Sequence, residues 1–103
     1  MTIQTYSVTT ATGNAYVSTG NTAITSLTLC NYSVSNVVAN LFVVPSGNSA
    51  SSSNQMYALL PLSSGDTFQI YAAAEKLLLG PGDSVQINAN ANAVTAITSF
   101  TTI

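Results

Sequence analysis

The sequence predicts an all-β protein: a single-domain antiparallel β-sandwich of about eight short strands, with jelly-roll or immunoglobulin-like topology. Three observations predict it. Short segments rich in Thr, Val, Ile and Tyr suit a pleated, half-buried surface better than a helix. Turn signals separate them at intervals of about 8–12 residues. They are Thr12-Gly13-Asn14, Thr19-Gly20-Asn21, Ser33 to Asn36, Pro45-Ser46-Gly47-Asn48, Ser63-Ser64-Gly65-Asp66 and Gly80-Pro81-Gly82-Asp83. No linker, charge block or repeat divides the 103 residues, so 1–103 reads as one domain.

The segments follow in order. Strands are expected at 3–9 and 15–18, each ended by a Gly- or Asn-containing turn. In 23–31, Leu27 and Leu29 face inward and Cys30 lies on the opposite side. The segment 37–44 is apolar on both faces, with Val37, Ala39, Leu41 and Val43 on one side and Val38, Phe42 and Val44 on the other. A polar, low-complexity stretch from Ser46 to Gln55 then reads as a long exposed connector. Strands return at 55–60 and at 66–72, where Phe68 and Ile70 point inward. Residues 72–76 carry good helix formers, and a turn or single helical turn is expected there, since the run is too short for a stable helix. A short strand at 77–79 precedes the clearest alternation in the chain. In 84–91, Val85, Ile87, Ala89 and Ala91 face one way, while Ser84, Gln86, Asn88 and Asn90 face the other. The last strand is expected at 94–102.

Charge excludes most functions. Asp66, Glu75, Lys76 and Asp83 are the only charged side chains and His is absent, whereas Ser and Thr number 14 each, Asn 10 and Gln 4. One Lys without Arg gives no electrostatic basis for nucleic-acid or anionic-lipid binding. The longest nearly apolar stretch, Val37 to Pro45, is far below the roughly 20 residues of a membrane helix. Met1 to Thr5 shows neither the basic nor the apolar part of a signal peptide, which predicts synthesis in the cytoplasm.

The inventory also argues against an enzyme. Asp66 and Asp83 each follow a glycine at a turn exit, where Asp bonds nearby backbone N–H groups. No His or Lys cluster stands ready to activate a Ser or Thr. No cofactor and no metal site is expected, with three acids placed singly and one cysteine. Cys30 reads as a small buried hydrophobe. Asn31-Tyr32-Ser33 matches a glycosylation sequon by chance, given no secretory signal. The tyrosines at 6, 16, 32, 57 and 71 read as core or contact residues. The alternative is a platform for neutral carbohydrate.

Two features predict partners. A sandwich of this size has one buried layer, so the second apolar face of 37–44 needs cover from a loop or another chain. The terminal segments Gln4 to Thr10 and Val94 to Thr102 lack the charges and prolines that protect sheet edges. Candidate interface residues are therefore Val38, Phe42 and Val44 on the first feature, and Tyr6, Thr98 and Phe100 on the second. On this reading Thr98→Lys weakens assembly and leaves the fold intact.

A resemblance then emerges from blocks in order. Ala23-Ile24-Thr25-Ser26-Leu27-Thr28-Leu29-Cys30-Asn31 is followed by Val38-Ala39-Asn40-Leu41-Phe42-Val43-Val44-Pro45-Ser46-Gly47. Asn54-Gln55-Met56-Tyr57 comes next, and then Leu77-Leu78-Leu79-Gly80-Pro81-Gly82-Asp83-Ser84-Val85-Gln86-Ile87. Over residues 15–100 this resembles small structural proteins of tailed bacteriophages. The resemblance implies a compact, non-enzymatic β-sandwich attached to the virion. The small size, the uncharged surface, the two-faced segment 37–44 and the unprotected edges favour a decoration (cement) protein on the capsid surface. It would stabilise the head by contacting the major capsid protein. Neck, tail or fibre-associated components are the alternative within that family. A carbohydrate-binding attachment module is the alternative outside it. A small homo-oligomer is expected, with a trimer as one form and the number left open.

Overall fold

A computed structural model of the chain describes residues 2–70 and 77–103. Nine strands run through them: β1 (Thr2–Val8), β2 (Gly13–Val17), β3 (Thr22–Asn31), β4 (Val37–Val44), β5 (Gln55–Leu62), β6 (Thr67–Ile70), β7 (Leu77–Leu79), β8 (Ser84–Ala89) and β9 (Val94–Thr102). The expected turn at 72–76, with Glu75 and Lys76, lies outside the described residues.

The strands form two antiparallel sheets. One has the order β1-β9-β3-β6, with β7 also on β3, and the other has the order β2-β8-β4-β5. Apart from β7, the pairs are nested: β4 with β5, β3 with β6, β2 with β8 and β1 with β9. Eight strands paired in this nested way across two sheets make a jelly roll. That decides between the two topologies left open by the turn spacing.

Alternation along each strand builds the single core. Ile24, Leu27 and Leu29 from the first sheet meet Leu41, Val85 and Ile87 from the second, all buried. Burying a side chain of this kind contributes about 1.5–3 kcal/mol. Aromatic pairs bridge the sheets near both flanks. Tyr16 on β2 lies 4.4 Å from Phe100 on β9, ring centre to ring centre, and Tyr57 on β5 lies 5.6 Å edge-on from Phe68 on β6. Phe100 thus packs across the sandwich against Tyr16.

The structure corrects one expectation about edges. The last strand is not an edge: β9 pairs with β1 on one side and β3 on the other. Its inner face carries Val94, Ala96, Thr98 and Phe100 toward the core. Thr98 is 0% exposed, so it cannot contact a partner. Its Oγ1 is buried and has no hydrogen-bond partner among the described residues.

Asn31 closes one end of the sandwich. Its side chain is 0% exposed. Nδ2 donates to the carbonyls of Ser35 (2.8 Å), Leu62 (2.9 Å) and Ser63 (3.2 Å), while Oδ1 accepts from the Ser33 N–H (3.0 Å) and Oγ (2.8 Å). A buried amide persists only when its donors and acceptors are satisfied in this way. With Nδ2 enclosed, the sequon at Asn31 is closed to glycosylation in the folded protein.

Two outcomes follow for stability. Thr98→Val keeps the β-branched shape and removes an unpaired hydroxyl, so urea unfolding is expected to show a gain of about 1 kcal/mol. Thr98→Lys instead places a charge in the core and abolishes folding rather than assembly alone. Asn31→Ala removes a shared donor from three carbonyls and leaves the Ser33 N–H without its acceptor, for an expected loss of about 2 kcal/mol in the same assay.

Candidate interaction surfaces

The two described acids sit at opposite ends of the molecule. Asp66 joins the Asn31 end, where its carbonyl accepts the Asn31 N–H at 2.9 Å. Asp83 holds the other end. Its Oδ1 accepts from the Ser46 N–H and its Oδ2 from the Gly80 N–H, each at 2.9 Å. The Ser18 N–H also donates to the Asp83 carbonyl at 2.8 Å. Gly82 lies within this junction at φ +83°, and a Cβ there would strike the Ser46 hydroxyl. The length of β3 separates the two carboxylates by about 30 Å, so they form no paired acid site. Among the described residues no three His, Cys, Asp or Glu side chains gather. Both acids lie in turns, and the outer faces of both sheets are uncharged over the described residues.

The outer face of the second sheet carries a row of amides. Gln55 Nε2 donates to Asn40 Oδ1 (3.1 Å), Asn40 Nδ2 to Asn88 Oδ1 (2.9 Å), and Asn88 Nδ2 to Thr12 Oγ1 (2.7 Å). The row crosses β5, β4 and β8 and ends just ahead of β2. Asn40 Oδ1 also accepts the Leu59 N–H at 2.9 Å, where Ala58 and Leu59 bulge out of register opposite it. Val38 is half-buried on this face. Phe42 and Val44 share it, yet are only 9% and 1% exposed. The chain itself covers them, so the second apolar side of β4 needs no partner there. The connection that leaves β4 and returns at Gln55 is built around Asn54. Asn54 Oδ1 accepts the Ser51 N–H at 3.0 Å, its Nδ2 donates to the Ser49 carbonyl at 3.0 Å, and the Val43 N–H donates to its carbonyl at 2.9 Å. The connector is exposed, as expected, and these bonds through Asn54 tie it to the end of β4.

The outer face of the first sheet presents hydroxyls, among them Thr28, Thr95 and Ser99, around Ile97 and Ile3. Ile3 is 64% exposed. Cys30 also lies on this face, half-buried, instead of in the core. Of the tyrosines described, Tyr32 alone is largely exposed, which leaves no aromatic platform beside the amide row.

The edges differ sharply. β5 is irregular, with Pro61, two register shifts and Leu59 at φ 54°. β2 has five residues and a shift between Asn14 and Tyr16. β6 (Thr67–Ile70) and β7 (Leu77–Leu79) each border residues outside the described ones. β1 instead runs seven residues in unbroken register with β9, from Thr2↔Phe100 to Val8↔Val94, without charge, proline or bulge. Its inner side is anchored to β2. Gln4 Nε2 donates to the Ala15 carbonyl at 3.2 Å, and the half-buried Tyr6 lays its ring tip over Gly13. Of the six residues singled out in sequence, Tyr6 is therefore the one on a free edge. Sequence reasoning passed over Ile3 and Ile97; their outward alternation beside β1 was the signal for them.

In comparisons with known proteins, no family model matches the chain, and no curated protein or solved structure matches it.

Tyr6 and Gly13 provide a test of how β1 is held. A Cβ at Gly13 would overlap the Tyr6 hydroxyl, so Gly13→Ala displaces the ring tip at an expected cost of about 1 kcal/mol. Tyr6→Phe removes the overlapping oxygen and recovers part of that loss in the double mutant. A double-mutant cycle by chemical denaturation checks the coupling.

Proposed function

We propose that the chain is a non-enzymatic structural protein of a tailed-bacteriophage virion, synthesised in the host cytoplasm. Its favoured role is a capsid decoration protein that stabilises the head through contacts with the major capsid protein. The observation that carries this reading is the uncharged outer face of both sheets over the described residues. A hydroxyl or amide costs little to bury when it finds a hydrogen bond, whereas an unpaired charge costs far more. Faces of Thr, Ser, Asn and Gln can therefore be packed against neighbours in many copies, with no like-charge repulsion and little sensitivity to salt. The block resemblance supplies the phage context. Jelly rolls recur in viral capsid and lectin domains, which supports the reading as an association of fold rather than of site.

The amide row favours a second reading, in which the second sheet's outer face attaches the particle to neutral glycans. Side chains already fixed by one another lose little freedom on binding a sugar hydroxyl.

Copy number in purified particles tests the first reading. On the order of hundreds of copies per particle is expected for decoration, whereas about six or twelve would overturn it in favour of a neck or tail ring. Absence from particles would overturn the virion assignment itself. Binding on a neutral-glycan array that is lost on Asn88→Ala, with the fold retained, would favour the second reading.

A further inference from the structure

The β1 edge is the feature that neither the core nor the ends of the sandwich account for. Long, regular and uncharged edges are templates for strand addition, and proteins that remain monomeric normally protect them. This chain protects β5 with a proline and bulges, and keeps β2 short and shifted in register, yet leaves β1 unmodified.

We infer that β1 pairs with β1 of a second copy, antiparallel about a twofold axis, joining two first sheets into one continuous sheet. The inference rests on the reading of the chain as an assembly subunit and names one contact of that assembly. Register follows from geometry. Directly opposed residues of an antiparallel pair face the same side, so outward residues of one copy must meet outward residues of the other. Among registers that satisfy this, the one centred on Thr5 engages the whole of Thr2–Val8. It opposes Thr5 with Thr5, Ile3 with Ser7, and Gln4 with Tyr6. The outer face then gains a Thr–Thr contact at the axis, with Ile3 covered in part on each side.

The occupant is a second copy because an isologous contact needs a patch compatible with itself. The described charges, Asp66 and Asp83, lie in the end turns and away from β1. A strand without charge meets no repulsion from its own image. The contact falls at the small end of specific interfaces, below about 1,200 Å² in total, so pairing is weak in dilute solution. Within a particle, where neighbouring copies are held close, the same contact is strengthened by effective concentration.

Sedimentation equilibrium over a concentration series up to millimolar protein tests this. The wild type is expected to approach twice its 10.6 kDa mass as concentration rises. Thr5→Lys, an exposed outer-face substitution that sets two like charges at the axis, should hold the protein at monomer mass with an unchanged melting curve. Thr67→Lys, an exposed substitution on β6, should dimerise as the wild type does. A wild type that stays monomeric, forms trimers, or dimerises equally well with Thr5→Lys would overturn the pairing, as would equal loss of dimer in Thr67→Lys. These results are separable from the particle assay. Monomers in solution with hundreds of copies per particle remove only the pairing, whereas dimers in solution with no copies in particles remove only the virion reading.

Discussion

The sandwich depends on how its ends are closed, which among the described residues is done without charge pairs. At one end a single buried carboxamide, Asn31, satisfies five polar partners drawn from the β3–β4 turn, the end of β5 and the residue that follows it. At the other end one carboxylate, Asp83, collects backbone N–H groups from the turns before β8 and after β4. Turns are where a jelly roll leaves backbone groups unpaired, because the chain there changes sheet and abandons its ladder. Asn31 and Asp83 each answer several such groups at once, and the side chains of Asn36, Asn90 and Asn92 accept further N–H groups from Ser64, Val38 and Thr10. The strands between the two ends are then left to be apolar on the inside and uncharged on the outside.

Much of this fold is legible in the sequence. The expected strands 37–44, 77–79 and 94–102 coincide with β4, β7 and β9, and the others differ by one or two residues at their ends, apart from 66–72, whose last two residues lie outside the described ones. Alternation explains the success, since Val85-Gln86-Ile87-Asn88-Ala89 can satisfy both a core and a wet face only as a strand. The turn role expected for Asp83 is likewise realised in its two backbone bonds. What alternation does not carry is the identity of a strand's neighbours. Nothing within Val94 to Thr102 signals that β1, some ninety residues earlier, lies along its far side, so a central strand looked like an edge.

The same limit governed the contact residues. The two-sided apolar character of β4 was correctly visible, but its cover comes from within the chain, a long-range fact. Thr98 is a contact candidate only if Val94 to Thr102 is an edge; with β9 held between β1 and β3, it lies in the core, and its hydroxyl finds no partner among the described residues. Tyr6 was legible as an edge residue because β1 is an edge, and the neighbouring Ile3 and Ile97 were missed through attention to polar composition. The amide row was also out of reach. Gln55, Asn40, Asn88 and Thr12 come from four separate parts of the chain and are aligned only by the nested ladders.

Nested pairing also sets the order in which the molecule can be made. The β4–β5 pair is local and available early, and each surrounding pair requires a longer loop to close before its contacts return any stabilisation. The β1–β9 pair is outermost, so β1 waits for β9, some ninety residues later in the chain. Folding should accordingly be slow for a domain of this size, as for other topologies dominated by distant contacts. Throughout that interval β1 is an uncharged strand with both edges open, and chain crowding during synthesis falls on the same segment that later borders the finished sheet.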